Sequence, residues 1–204
     1  AAFMAAVMST EMDDTEKLVG LIKETQRLGI ELSPPSVNQG DWEFIPKSAT
    51  EIVYGLGAIK GVGQSPVQAI IQARKEGTFS DVFDFCQKID LSKTSSRCLE
   101  ALINSGALDE LTPNACHSER HLLLAALPDA VKTAQQHKQN ANLGMTDLFA
   151  ASQSQPLSLG EVYPPYWQAP CLPAKSRLAA EKNVLGHYIS GHPINEHQAE
   201  LDRF

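Results

Sequence analysis

Gly57-Ala58-Ile59-Lys60-Gly61-Val62-Gly63, running into Gln64 to Ala73, is the stretch on which the reading of this chain turns. Two glycines flank one apolar residue, and a helical pattern follows with Val67, Ile70 and Ile71 on one side. Glycine accepts the dihedrals of a sharp turn. Val62 is placed to anchor that turn from beneath. A helix opening at Gly63 leaves its first N–H groups without intrahelical partners, and such groups bind anions. Lys60 adds a positive charge beside them. A backbone phosphate of a nucleic acid fits this chemistry. The alternative is a turn between helices whose glycines only permit close packing. No Gly-Lys-Ser or Gly-Lys-Thr follows, which excludes a Walker A loop. No second βαβ unit is visible, which argues against a dinucleotide fingerprint.

Working outward, residues 1 to about 29 predict helix in two stretches. Phe3, Val7 and Met8 share a face of the first, and Met4, Met8 and Met12 form a stripe read as core. Asp13-Asp14 opens the second, with Leu18, Leu21, Ile22 and Leu28 recurring at helical steps and Gly29 as a left-handed stop. Pro34-Pro35 ends any regular element there. Trp42, Phe44 and Ile52 to Tyr54 favour extended structure, and the Lys47-Ser48-Ala49-Thr50 loop predicts a small β-hairpin. Ser80-Asp81 opens a short helix through Phe83 and Phe85. Ser92 to Ile103 predicts another, ended by Ser105-Gly106, and a further one surrounds Leu122 to Leu127, with Pro128 kinking or restarting it. Residues 133–160 have linker composition, interrupted by Met145-Thr146-Asp147-Leu148-Phe149. Residues 161–174 are rich in proline and aromatics, and 176–189 return to helix.

The chain has 204 residues, 43% hydrophobic and 20% charged, enough for a packed core of one or two domains. No run of 18 apolar residues suggests a membrane span. Ala1-Ala2-Phe3-Met4 has no basic n-region and predicts the interior of a helix in a longer protein rather than a signal peptide. The net charge of −7 argues against a strongly basic nucleic-acid binder but allows one that uses backbone amides and a few local cations. Between residues 60 and 100 the balance is locally reversed. There Lys60, Arg74, Lys75, Lys88, Lys93 and Arg97 face Glu76, Asp81, Asp84, Asp90 and Glu100. Cys86, Cys98, Cys116 and Cys171 contain no Cys-x-x-Cys pair and read as free thiols.

The turn at Gly61 to Gly63 is the pattern of a helix-hairpin-helix motif, which holds DNA through its backbone without reading sequence. Such motifs are often paired, and Arg97 to Leu108, with one glycine, is the candidate second copy. Beyond the motif, Glu51 to Gly63 resembles the replicative DNA polymerases of bacteria, the DNA polymerase III alpha-subunit family. So do Ala2-Phe3-Met4-Ala5-Ala6 with Glu11 to Lys17, Pro34-Pro35-Ser36-Val37-Asn38, Val82-Phe83-Asp84-Phe85-Cys86, Leu99 to Ala107 and Leu185 to Pro193. The resemblance runs in order through the chain, and residues 112–178 match least.

This resemblance implies a mainly α fold with a small β-hairpin and a flexible polar loop. It implies the end of a fingers domain over 1–35 and a tandem helix-hairpin-helix DNA-binding domain over 36–132. A flexible clamp-binding segment over 133–175 follows, and 176–204 lead towards an oligonucleotide-binding fold. Lys60, Gly61, Val62, Gly63 and Gln64 would contact duplex DNA. The family's clamp-binding peptide reads Gln, two residues, an aliphatic residue and Phe. Here Met145, Asp147, Leu148 and Phe149 occupy it, with Met145 where glutamine is usual. Leu148 and Phe149 would be the anchors in an apolar pocket of the sliding clamp. The catalytic aspartates and their Mg2+ belong to a palm domain outside this sequence, so no catalytic residue, cofactor or metal is expected within it. The partners implied are duplex DNA, the sliding clamp (the beta subunit) and other subunits of the polymerase III holoenzyme, in the cytoplasm and with no membrane. The competing readings are a stand-alone helix-hairpin-helix repair factor, a protein-interaction module whose hairpins only pack, and an error-prone paralogue of the same family. Weaker patterns carry less. His117 and His121 lack a third metal ligand. His187, His192 and His197 are spaced out of helical phase, and Trp42 and Trp167 read as packing residues.

Overall fold

The computed structural model describes residues 1–142 and 162–194, and these form a mainly helical body around one continuous hydrophobic core. The chain opens with α1 (Ala2–Thr10) and α2 (Thr15–Arg27). Asp14 caps α2, its carboxylate accepting from the amides of Glu16 and Lys17 at 3.1 Å each. Gly29 leaves it with φ +71°. The methionine stripe is core: Met4 and Met8 are buried and Met12 is half-buried against them. The inward face of α1 is Met4, Ala5 and Met8, however, and Phe3 points to solvent at 77% exposure.

A three-stranded sheet follows, from β1 (Glu31–Ser33), β2 (Ile45–Pro46) and β3 (Glu51–Val53), in the order β1-β3-β2. The expected hairpin is β2–β3, antiparallel with Ile45 opposite Val53. Pro46 sits on an edge strand, where its missing N–H is tolerated. β1 adds a parallel partner, Leu32 opposite Ile52, that local patterning did not suggest.

Four further helices build the rest: α3 (Gln64–Ala73), α4 (Val82–Lys88), α5 (Ser96–Ser105) and α6 (Arg120–Asn142). The last described helix is α7 (Ala174–Leu185), closed by Gly186 at φ +82°. α5 begins four residues later than its apolar pattern suggests. The Asp90 carboxylate takes both the amide (3.1 Å) and the hydroxyl (2.7 Å) of Ser92, which holds that segment in a turn. Ser95 then caps the helix through the Cys98 amide. α6 runs through Pro128 and on into the polar residues expected to be linker. Leu122, Leu123, Ala126, Leu127, Ala130 and Ala134 are buried and hold it along α4, so packing overrides composition up to Asn142. The proline- and aromatic-rich stretch is anchored at its start. Tyr163 is fully buried, and its hydroxyl donates to the Leu111 carbonyl at 2.8 Å and accepts from the Val82 amide at 3.2 Å.

One buried ion network ties these helices together. Arg120, 3% exposed, meets Asp109 through two bonds of 2.7 Å and Glu181 through one of 2.8 Å. It also donates to the Asn104 carbonyl at 3.0 Å. Burial pushes the Asp109 carboxyl up from its ordinary value even though Arg120 opposes this. Burial acts on Glu181 the same way, but bonds from Ser190, Ile189 and Arg120 outweigh it and leave that carboxyl lowered.

Two glycine substitutions should act in opposite directions. Gly20 lies inside α2 with open space around its missing Cβ, so Gly20→Ala should stabilise by about 0.5–1 kcal/mol. A Cβ at Gly106, where φ is +91°, would strike the Arg120 guanidinium, so Gly106→Ala should cost about 1–3 kcal/mol. Urea unfolding of the two variants checks both signs.

Candidate nucleic-acid interface

The glycine turn is built by a β-turn from Ile59 to Val62, closed by the Val62 amide on the Ile59 carbonyl at 3.1 Å. Gly61 is its third residue, with φ +91°, as a type II turn requires. Ile59 and Val62 are buried and pin the turn from below. Lys60, Gly61, Gly63, Gln64 and Ser65 are exposed on its outer side. The Lys60 amide donates to the Val184 carbonyl of α7 at 2.8 Å, so the turn leans on a helix far away in sequence.

Gly63 is the N-cap of α3, and no side chain caps this helix. Its φ of −94° is open to any residue, and an added Cβ would meet only Pro66 Cδ at an ordinary 3.7 Å. Nothing among the described residues therefore demands glycine at 63; what its absent side chain leaves is clearance on the outer face. The amides do not all point there. Val62's is used within the turn. Gly63's lies against the sulfur of Cys98, where it partly offsets the burial that pushes that thiol up to about 11. Val62 is thus an anchor and not a donor. The amides of Gly61, Gln64 and Ser65 make no hydrogen bond with the described residues outside their own helix. They form the open set, and the first turn of α3 holds no acidic residue to compete.

The expected second hairpin at Arg97 to Leu108 is not a binding turn. The Gly106 amide returns to Ile103 and the Ala107 amide to Leu102, both at 3.0 Å, which is a helix C-cap. Ala107 and Leu108 are fully buried, and Arg120 covers Gly106. Local sequence does not distinguish a glycine that ends a helix from one that opens a hairpin. The second helix–turn–helix unit is α4, residues 89–95 and α5, with Ser95 as cap and Arg97 exposed in the first turn. The start of α5 adjoins the first turn, since Cys98 lies under Gly63 and Ala101 Cβ is 3.8 Å from where a Gly61 Cβ would stand.

Structure thins the expected set of cations. Arg74 turns inward to the carbonyls of Val37 and Gly40. Lys88 pairs with Asp84 at 2.8 Å and Lys93 approaches Asp90 at 3.9 Å. Lys60, Lys75 and Arg97 have no carboxylate partner among the described residues; Lys60 belongs to the glycine turn and Arg97 is exposed on the first turn of α5. An open groove of about 700 Å³ begins at Gln64 and Ser65 and runs along α3 towards Lys88 and Lys93. The stretch Met145, Thr146, Asp147, Leu148 and Phe149 lies outside the described residues, as does His197. Among the described residues no three His, Cys, Asp or Glu side chains are grouped to hold a metal ion, and no helix is long and apolar enough to cross a membrane.

Residues 29–118 match the helix-hairpin-helix motif family. Over its whole length the chain is similar to proteins named DNA polymerase III subunit alpha. It is 45% identical over 205 residues to that of Vibrio cholerae, 43% over 215 to that of Pseudomonas fluorescens and 43% over 207 to that of Escherichia coli. These matches take in 100% of this chain but only 17%, 18% and 17% of those proteins, respectively.

The thiols report on the cover over the turn. Burial pushes Cys86 up to about 12 and Cys98 up to about 11, whereas Cys171 is exposed and Cys116 partly so. A disulfide reagent at neutral pH should modify Cys171 first and Cys116 more slowly, and reach Cys86 and Cys98 only after denaturation. Rapid labelling of Cys98 in the folded chain would contradict the packing beneath Gly63.

Proposed function

Since the chain is homologous over its whole length to one segment of the DNA polymerase III alpha subunits, we propose that it holds duplex DNA without sequence preference through the turn at Lys60 to Ser65. The observation that carries this reading is the uncapped start of α3 at an exposed glycine with outward clearance. A phosphate oxygen there accepts from the amides of Gly61, Gln64 and Ser65, with Lys60 beside it and Arg97 as a neighbouring cation. Main-chain donors carry no base preference, so the contact positions the duplex and leaves sequence unread. The overall charge of −7 is compatible with this, because the contact relies on fixed dipoles and two local cations.

In the same reading the longer protein is a DNA-directed DNA polymerase of the cytoplasm that works beside other holoenzyme subunits. Its nucleotidyl transfer belongs to residues outside this chain. The Mg2+ such a reaction uses belongs there too, and Asp14 of this chain is engaged as a helix cap. Met145, Asp147, Leu148 and Phe149 dock on the sliding clamp, Leu148 and Phe149 as apolar anchors. Such tethering to a ring around DNA raises effective concentration and keeps the enzyme on its template.

Gly63→Asp separates binding from folding. Aspartate is a favoured N-cap, so stability should hold or rise, while its carboxylate repels the phosphate and duplex affinity should fall by about tenfold or more. Lys60→Ala should weaken binding and lower the slope of log K against log salt by about one. Fluorescence anisotropy on a short duplex reads both. If Gly63→Asp binds as tightly as the parent chain, the turn does not hold the phosphate. For the clamp, Leu148→Ala and Phe149→Ala should each weaken binding to the purified ring in a calorimetric titration, and unchanged affinity rejects this site.

A further inference from the structure

The turn that presents the open amides rests on α7. The Val184 carbonyl, one of the last in that helix and so without an intrahelical partner, accepts from the Lys60 amide at 2.8 Å. One turn earlier on α7 stands Glu181, fully buried. Its carboxylate is engaged on both oxygens. It accepts from the Ile189 amide at 2.6 Å, the Ser190 amide at 2.9 Å, the Ser190 hydroxyl at 2.6 Å and Arg120 at 2.8 Å. Arg120 is in turn fixed to Asp109 and to the end of α5 through Asn104. α5 packs on α7 and also carries Cys98 and Ala101, which lie under the turn.

Resting on the duplex-binding reading, we infer that Glu181 is a positioning residue for phosphate binding: it fixes α7 along its own axis, and α7 holds the turn through Val184. A slip of α7 by one residue moves that carbonyl by about 1.5 Å, enough to break its bond to Lys60. The segment 174–190 thereby acts on a binding turn that it does not itself extend.

The test compares four variants of the whole chain on the same short duplex. Lys60→Ala removes the charge and keeps the amide. Lys60→Pro removes both, and proline suits the second position of a type II turn, so the local backbone is preserved. Lys60→Pro should bind about fivefold more weakly than Lys60→Ala, the loss of one backbone hydrogen bond. Glu181→Gln, measured where circular dichroism shows it folded, should bind about fivefold more weakly than the parent with an unchanged salt slope, since no surface cation is lost. Its Lys60 amide should exchange with solvent faster, a change that general destabilisation would spread over the core instead. Equal affinities for Lys60→Pro and Lys60→Ala, or parental affinity in folded Glu181→Gln, would overturn the inference. If Glu181→Gln does not fold, Ser190→Ala, which removes one donor to the same carboxylate, takes its place under the same two readouts. Gly63→Asp is the control: full affinity there removes the duplex-binding reading itself, whereas its loss beside parental affinity in Glu181→Gln and equal affinities in the Lys60 pair removes only the role of α7.

Discussion

The guanidinium of Arg120 is the point at which distant parts of this chain are made to agree. It is 3% exposed and must find acceptors, and those acceptors come from the end of α5, the turn after it and the middle of α7. A buried ion pair of this kind adds little net stability over apolar packing, but removing one partner strands a charge away from water. The arrangement therefore does more to select one geometry than to deepen its energy. The close approach of Gly106 follows from it, because the guanidinium fills the space a side chain would need. The lean of α7 on Lys60 follows too, since α7 is held at Glu181.

Sequence carried furthest where local chemistry decides the outcome. α3 occupies Gln64–Ala73, Asp81 caps α4 through the Phe83 and Asp84 amides, and the hairpin spans the Lys47 to Thr50 loop, all as composition and spacing suggest. It carried less far where a remote partner decides. The polar stretch from Thr133 reads as linker, yet α6 continues because Ala130 and Ala134 are buried and α6 packs on α4. Nothing around Tyr163 announces that its hydroxyl will join Leu111 to Val82 across a fully buried contact. β1 has no signal in the local pattern, because a parallel partner leaves no mark at short range.

The candidate interface divides along the same line. Glycine spacing identifies the turn and a buried Val62 beneath it, because both follow from local backbone needs. Which amides remain open depends on pairings that no pattern encodes: Val62 closes the turn and Gly63 faces Cys98. Arg97 to Leu108 looks like a second copy only because a helix C-cap and a hairpin ask the same freedom of glycine. Of the local cations, Arg74 is indistinguishable in sequence from Lys60, and only the fold reveals that it serves two carbonyls of the neighbouring loop.

The sheet also imposes an order on assembly. β2 and β3 are joined by residues 47–50 and can zip as soon as that short loop closes, whereas β1 can pair with β3 only after the chain between Ser33 and Ile45 has been looped back. The Val37 amide, inside that excursion, bonds the Ala107 carbonyl at 2.9 Å, and Ser36 reaches Glu110 at 2.5 Å. The second of these joins residues 74 apart, so their closure belongs to the slow, topology-limited part of folding. The nascent chain must be translated past Glu110 before the loop that follows β1 has its final contacts.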